Sequence, residues 1–253
     1  MRERPILFSA PMVRALLAST KTQTRRVVKV PHNNPLGKWE PTTFGGPNGG
    51  LTRKGETIPE HVAIWRTRTG ETIGAKWVVG DRLWVRETCR AHEITDAEAD
   101  ADTWKLGDRL DEFPAYGLDG VVYTADNAFR EIENTLEASE RWGALNAYRG
   151  KRGAVVPGIH MPRWASRITL EITEVRVERL QDISFEDALA EGVADYRPLI
   201  EPECNDGETA DQCARRLQWP QREYRLLWES INGNGSWERN DWVWVVGFKR
   251  VTP

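Results

Sequence analysis

Four hydroxyl residues and three cations fall within the eight positions Ser19-Thr20-Lys21-Thr22-Gln23-Thr24-Arg25-Arg26. A lysine forced out of water gives up its proton more readily and then serves as a base. A threonine beside such a base becomes a nucleophile. An arginine close by holds a carbonyl, a phosphate or a base edge in its planar fork. By itself the segment reads first as a basic turn between a helix and a strand. The elements around it shift that balance.

Pro11 suits the first turn of a helix, and Met12, Val13, Leu16 and Leu17 form one apolar face that ends near Ser19. Residues 25–30, with Val27 and Val28 inside, read as a strand. The polar segment therefore sits where a helix hands over to a strand. From Pro31 to about Leu51 the chain is turn-rich, which predicts a loop or lid. A strand is expected over 61–66, and a single strand over 83–89 after the turn Gly80-Asp81-Arg82. Its period of two places Leu83, Val85, Glu87 and Cys89 on one face. Glu87 there is either the partner of an arginine, the favoured reading, or a carboxylate of a pocket. Residues 91–153 read mostly as an insertion outside the core, with helix-compatible sequence over 127–147. The clearest strand signal is the alternation of Ile168, Leu170 and Ile172 with polar residues. Ser184 then caps a helix over 185–191, with Asp187 at the fourth place of an S-x-x-D pattern and Gly192 at the stop. One amphipathic helix is expected over 214–231 and a dense apolar strand over 242–248. No repeat or linker divides the 253 residues, which predicts one domain.

Composition narrows the function classes. Lys+Arg is 35 and Asp+Glu is 38, a formal net charge of -3. No global basic field draws in a long duplex, so a nucleoside or a short unpaired element is the better ligand. Cys89, Cys204 and Cys213 form no C-x-x-C pair, and His32, His61, His92 and His160 show no H-x-x-x-H spacing. Neither a disulfide framework nor a zinc site is expected. The N-terminal apolar run is too short for a signal peptide, and no run approaches a membrane span, which predicts a cytoplasmic protein. The twelve tryptophans are read mostly as core, with one or two able to stack on a planar base.

Three stretches together resemble the ASCH family of the PUA-like superfamily. Ser19-Thr20-Lys21 followed by Arg26 fits the spacing of the family's G-x-K-x-x-x-x-R box, with Ser19 in place of the glycine. Gly80-Asp81-Arg82-Leu83-Trp84-Val85 looks like its G-D-x-L-x-V strand. A strand pair over 167–180, the helix 184–191 and the last strand complete the layout. The stretches Met161-Pro162-Arg163-Trp164 and Leu227-Trp228-Glu229-Ser230-Ile231-Asn232 are similar to longer members found in phages and prophages. The resemblance covers roughly half of the chain. It implies an α+β fold, a PUA-like, partly closed β-barrel with flanking helices. Two long insertions, 31–60 and 91–153, fall outside it.

Some small ASCH proteins are amidohydrolases that remove the acyl group from N4-acylated cytidine. The resemblance carries their catalytic lysine, threonine and glutamate onto Lys21, Thr24 and Glu191. Arg26 is expected close by, and Trp84, Glu87, Arg163 and Trp164 are candidates for the substrate wall. Amide hydrolysis needs a nucleophile, a base and a proton donor for the leaving amine. Thr24 attacks the acyl carbon while neutral Lys21 takes its proton, or Glu191 activates a water; the residues leave both routes open. Neither Lys21 nor Thr24 reads as core. No metal or cofactor is required, and the expected partner is a modified nucleoside. The alternative is a non-catalytic module of phage origin that binds short single-stranded RNA or a modified nucleotide, with the lysine and arginine on phosphate or a base.

Overall fold

The computed structural model describes residues 1–31, 37–46, 51–58, 60–94, 118–193 and 204–251. The turn clusters at 33–35 and 47–50 and most of the acidic stretch 94–113 lie outside the described residues. Among those described, eleven strands and five α-helices make a mixed α+β protein. No described helix is long and apolar enough to cross a membrane. No sheet closes on itself among the described residues. The chain divides into two compact units, each built from separated stretches.

The first unit takes Met1–Arg2, Ala18–Arg82 and Glu171–Arg250. Its main sheet sets β11 (Trp242–Val251) between β10 (Thr169–Arg179) and β2 (Gln23–Val27). β2 and β11 run antiparallel, with Thr24 opposite Val246, Arg25 opposite Val245 and Arg26 opposite Trp244. The expected pair over 167–180 is one continuous strand, because no turn residue interrupts the alternation. A second antiparallel sheet joins β3 (Trp39–Phe44), β4 (His61–Arg66) and β5 (Thr72–Gly74). β3 lies in the stretch expected to be loop; its extended run Trp39-Glu40-Pro41-Thr42 carries a proline and lies at the sheet's edge, where a missing donor is tolerated.

The short helix α3 (Phe185–Ala190) starts as the sequence indicates, with Ser184 Oγ accepting from Asp187 N at 3.0 Å, and stops before Gly192 at φ 81°. The single helix expected over 214–231 is two, α4 (Ala210–Leu217) and α5 (Trp219–Asn232), with Gln218 left-handed between them at φ 51°. Pro220 explains the break: inside a helix its ring would clash with the carbonyl four residues back, whereas in a first turn its missing N–H costs nothing. Tyr224 and Trp228 on α5 pack with Leu180, Ile183, Ala188, Val243 and Val245.

Ser19 follows the first helix at φ 59°, a left-handed conformation that strains any residue with a Cβ. Ser19→Gly is expected to raise unfolding stability by about 0.5–1 kcal/mol, read from the urea midpoint, since relief of that strain exceeds the added unfolded-state entropy. An unchanged or lower midpoint would mean that the strain is absent.

The second unit takes Glu3–Leu17, Leu83–Leu170 and Val251–Pro253. β1 (Glu3–Leu7) neighbours β6 (Arg82–Arg86), and α1 spans Ala10–Leu17. A three-stranded sheet follows, β7 (Cys89–Ile94), β8 (Leu118–Tyr123) and β9 (Phe129–Glu131), with α2 (Leu136–Asn146). The strand expected over 83–89 is therefore split at Glu87-Thr88. The stretch expected to lie outside the core has a core of its own, in which Cys89, Ala91, Val121, Tyr123, Leu145 and Met161 are buried together. Its charged surface masks the few apolar anchors that β7, β8 and α2 contribute.

Among the described tryptophans Trp77, Trp84, Trp228 and Trp244 are buried. Several of the others are half-buried under guanidinium groups: Arg179 lies 4.3 Å from the ring centre of Trp242 and Arg222 5.4 Å from that of Trp219. A ring at a surface is shielded there by a cation rather than by other side chains.

Candidate functional site

The candidate site lies in the first unit, where the chain just before β2 meets the C-terminal end of α3. Lys21 and Glu191 form an isolated antiparallel bridge, Thr22 N donates to Ala190 O at 2.8 Å, and Phe248 N donates to Thr22 O at 2.8 Å. This short stretch is thus gripped by α3 on one side and β11 on the other. Lys21 Nζ donates to Glu191 Oε2 and to Glu191 O, both at 2.8 Å. Helix carbonyls at a C-terminus carry partial negative charge, so the ammonium is favoured there twice over.

Arg25 is the hub of the surrounding charges. Its guanidinium reaches Glu191 Oε1 at 3.2 Å, Glu178 Oε1 at 2.5 Å and Asp187 Oδ2 at 2.9 Å, with its side chain fully buried. Arg176 also donates to Asp187 and, at 3.2 Å, to Glu178. Lys21, Arg25 and Arg176 thus face Glu178, Asp187 and Glu191, and Arg176 reaches Glu174 as well, at 3.3 Å. Gln23 Nε2 donates to Asp187 O at 3.1 Å, and the Arg25 guanidinium lies 5.7 Å from the ring centre of Tyr224. The period of β2 puts Gln23, Arg25 and Val27 on the face that meets α3 and α5, with Thr24 and Arg26 on the other face.

Burial decides the protonation behaviour. Desolvation lowers the affinity of Lys21 for its proton against the opposing pull of Glu191, and the charges of Arg26 and Arg25 push the same way as burial. Burial likewise lowers the pKa of Arg26, opposed by Glu191 and Tyr224. Tyr224 is pushed well up, by burial first and then by Glu191, and stays neutral. Burial works to raise the Asp187 carboxyl, but hydrogen bonding by Arg176 and the charge of Arg25 outweigh it and hold the group below the usual carboxylate range.

A carboxyl depressed in the folded state adds stability that is whole above its unfolded pKa of about 3.9 and is lost as pH falls through the lower folded value. The difference in urea midpoint between the parent and Asp187→Asn is therefore expected to be constant near neutrality and to shrink below about pH 4. A difference that is flat down to pH 2.5 would mean that the guanidinium groups do not hold Asp187 ionised.

Lys21 and Glu191 are brought into direct contact, but Thr24 is placed otherwise. The residue is 3 % exposed and lies on the face of β2 opposite that of Arg25. Lys21 is 2 % exposed, so the expectation that neither residue belongs to the core is corrected for both. Arg26 is half-buried, within electrostatic reach of Lys21 and Glu191.

Trp84, Glu87, Arg163 and Trp164 belong to the second unit. Glu87, 2 % exposed, receives both arms of Arg167 at 2.9 Å. Arg167 also holds Asp126 at 2.9 Å and lies 3.9 Å from the ring centre of Tyr123. Glu87 is thus the partner of an arginine. Arg163 forks onto Glu3 at 2.9 and 2.7 Å and lies 5.8 Å from the ring centre of buried Trp84. Trp164 lines a cavity of about 260 Å³ together with Arg130 and Arg141, and its carbonyl accepts from Arg130 at 2.6 Å.

Sequence reasoning singled out Arg26 and missed Arg25, Glu178, Asp187, Arg176 and Tyr224. Two adjacent arginines on one strand must face opposite ways, and that signal marks one of Arg25 and Arg26 as inward. As first-turn carboxylates of an amphipathic helix, Glu186 and Asp187 both read as solvated; Glu186 is exposed and paired to Arg215, whereas Asp187 is half-buried between two arginines. The cysteine spacing predicts neither a disulfide framework nor a zinc site, yet Cys204 and Cys213 come together with Glu208. No protein-family model, curated protein or solved structure matches the chain.

Proposed function

We propose that the protein is an amidohydrolase that needs no metal for catalysis and removes the acyl group from N4-acylated cytidine, as nucleoside or base. On this reading the sheet of β10, β11 and β2 with α3 is the catalytic part of a PUA-like, partly closed barrel, and the protein works in the cytoplasm. The observation that carries the reading is the Lys21–Glu191 pair: a lysine at 2 % exposure, 2.8 Å from a carboxylate, with its proton loosened by burial. Charges are seldom buried this deeply without a function or a large structural gain. The left-handed Ser19, at the position where the G-x-K box has glycine, adds support.

In the reaction, Thr24 Oγ or a water attacks the acyl carbon and its proton passes to neutral Lys21. The tetrahedral intermediate collapses, the C–N4 bond breaks, and the same proton is delivered to N4 as cytidine leaves. Glu191 holds the lysine amine in place throughout. With Thr24 as nucleophile a second water releases the acyl group as a carboxylic acid. Ligand-free active sites often hold catalytic groups apart until substrate binds, which accommodates the position of Thr24.

The test is incubation of the purified protein with N4-acetylcytidine in buffer without added metal, following release of cytidine. Turnover is expected, with the free nucleoside preferred to an oligonucleotide carrying the same base. Failure with every acylated cytidine tried would overturn the reading.

The fully buried guanidinium of Arg25, held by Glu178, Asp187 and Glu191, favours a second reading, in which the charge network only clamps β2 to α3 and the domain binds short single-stranded RNA. That reading demands binding that weakens with salt and with Arg26→Ala.

A further inference from the structure

We propose that Cys204, Glu208 and Cys213 form a binding site for a zinc ion. Their ligand atoms, two thiol sulfurs and a carboxylate oxygen, all lie within 4.8 Å of one another. A tetrahedral zinc centre, with bonds of about 2.3 Å to sulfur and 2.0–2.2 Å to oxygen, sets neighbouring ligand atoms about 3.5–3.8 Å apart. The three groups therefore need to close by only about 1 Å on a metal of that size. Paired thiolates select zinc over the hard cations, which prefer all-oxygen cages.

The local chain is built to hold this geometry. Glu208 N donates to Asn205 O at 3.0 Å, which turns the loop back on itself. Thr209 and Gln212 then close a reciprocal cap at the start of α4, and Cys213 follows in the next turn. Asn205 N donates to Glu208 Oε2 at 2.9 Å, and Arg216 forks onto both carboxylate oxygens at 3.0 and 2.9 Å. Oε2 accepts from both Asn205 and Arg216 and is thereby fixed in place, while Oε1 accepts from Arg216 and offers its second lone pair to a metal. Arg216 also lies 3.7 Å from Cys213 Sγ, where its charge offsets the net negative charge of two thiolates and a carboxylate around a dication. Phe185, Ala214, Leu217 and Trp219 give Cys213 an apolar surround that keeps bulk water from competing.

Zinc binds thiolates, so each cysteine releases its proton as the metal enters. The ion would also brace the first unit's site: Phe185 of α3 packs on Cys213, Arg215 of α4 pairs with Glu186 of α3 at 2.8 Å, and α3 presents Glu191.

The test uses the full chain, reduced and stripped of metal, titrated with Co²⁺ and then Zn²⁺. One equivalent of cobalt is expected to give the thiolate charge-transfer absorption and the intense visible bands of a tetrahedral centre, both abolished by zinc. Zinc should also raise the thermal midpoint. Cys204→Ser and Cys213→Ser should each abolish the spectrum, with circular dichroism confirming the fold. Glu208→Gln should weaken binding at least about 10-fold, the lower end of the cost of disturbing a metal's surroundings. Cys89→Ser should change nothing. The proposal is overturned if the folded, reduced protein gives no such spectrum, or if the spectrum survives both cysteine substitutions. It is also overturned if the reduced protein refuses metal while air oxidation joins Cys204 to Cys213, which would make the pair a redox couple. None of these readouts depends on the hydrolase reading.

Discussion

Glu191→Ala is expected to cost about 3–5 kcal/mol of unfolding stability, because it leaves two buried cations, Lys21 and Arg25, short of a counter-charge. Glu191→Gln should cost less, since the amide still accepts hydrogen bonds from both. The paired change Lys21→Met with Glu191→Leu is expected to recover much of the loss, as apolar replacements of buried ion pairs often do. Arg25 keeps Glu178 and Asp187 in that variant and is not orphaned. A double-mutant cycle on urea denaturation would read the coupling, expected within about 0.5–3 kcal/mol for residues in one network. A Glu191→Ala protein within about 0.5 kcal/mol of the parent, the range of ordinary surface changes, would mean that the pair is not buried as described.

On the proposed reaction, Lys21→Met and Thr24→Ala are each expected to lower kcat/KM by a factor on the order of 10² or more, as for loss of a general base or a nucleophile. Methionine is preferred to alanine at Lys21 because the position is buried and an empty cavity would add its own cost. The parent's rate should rise with pH as Lys21 sheds its proton, and that rise should disappear in Lys21→Met. Thr24→Ser keeps the hydroxyl and should retain activity if the hydroxyl is the attacking group. Full activity in Thr24→Ala would hand the attack to water, and Glu191 would then be the group to test as its activator.

The sequence made part of this site legible, and the physics explains which part. Lys21, Thr24 and Arg26 stood out because a dense polar run must follow an apolar helix and precede a strand. Ser184, Asp187 and Gly192 announced α3 through local capping chemistry, which needs no tertiary information. Arg25 was hidden because its role rests on three carboxylates far along the chain, and nothing local says which of two adjacent arginines turns inward. Asp187 was misjudged for the same reason: a carboxylate in a helix's first turn looks solvated unless its distant guanidinium partners are known. The elements of the second unit were obscured differently. Short strands with few apolar residues, such as β9, draw their stability from pairing and from a shared core, not from their own pattern. Pro220 is a local signal sufficient by itself to divide α4 from α5.

The register of β2 also bears on how the protein is made. Val27 pairs with Val243, and the Lys21–Glu191 contact spans 170 residues of sequence. During synthesis at about 5–20 residues per second, β2 leaves the ribosome long before β11 exists to flank it. The basic run at 21–26 must wait through the production of 170 residues for Glu191 and longer still for β11, its hydrogen-bonding edge open meanwhile. Such non-local pairing places the assembly of this unit late in folding and makes it slow. The nascent protein is thus most open to misfolding at the strand whose side chains form the charge network, and a ribosome-stalled chain ending before residue 178 would lack Glu178, Asp187 and Glu191 and carry Lys21 as an ordinary, solvated amine.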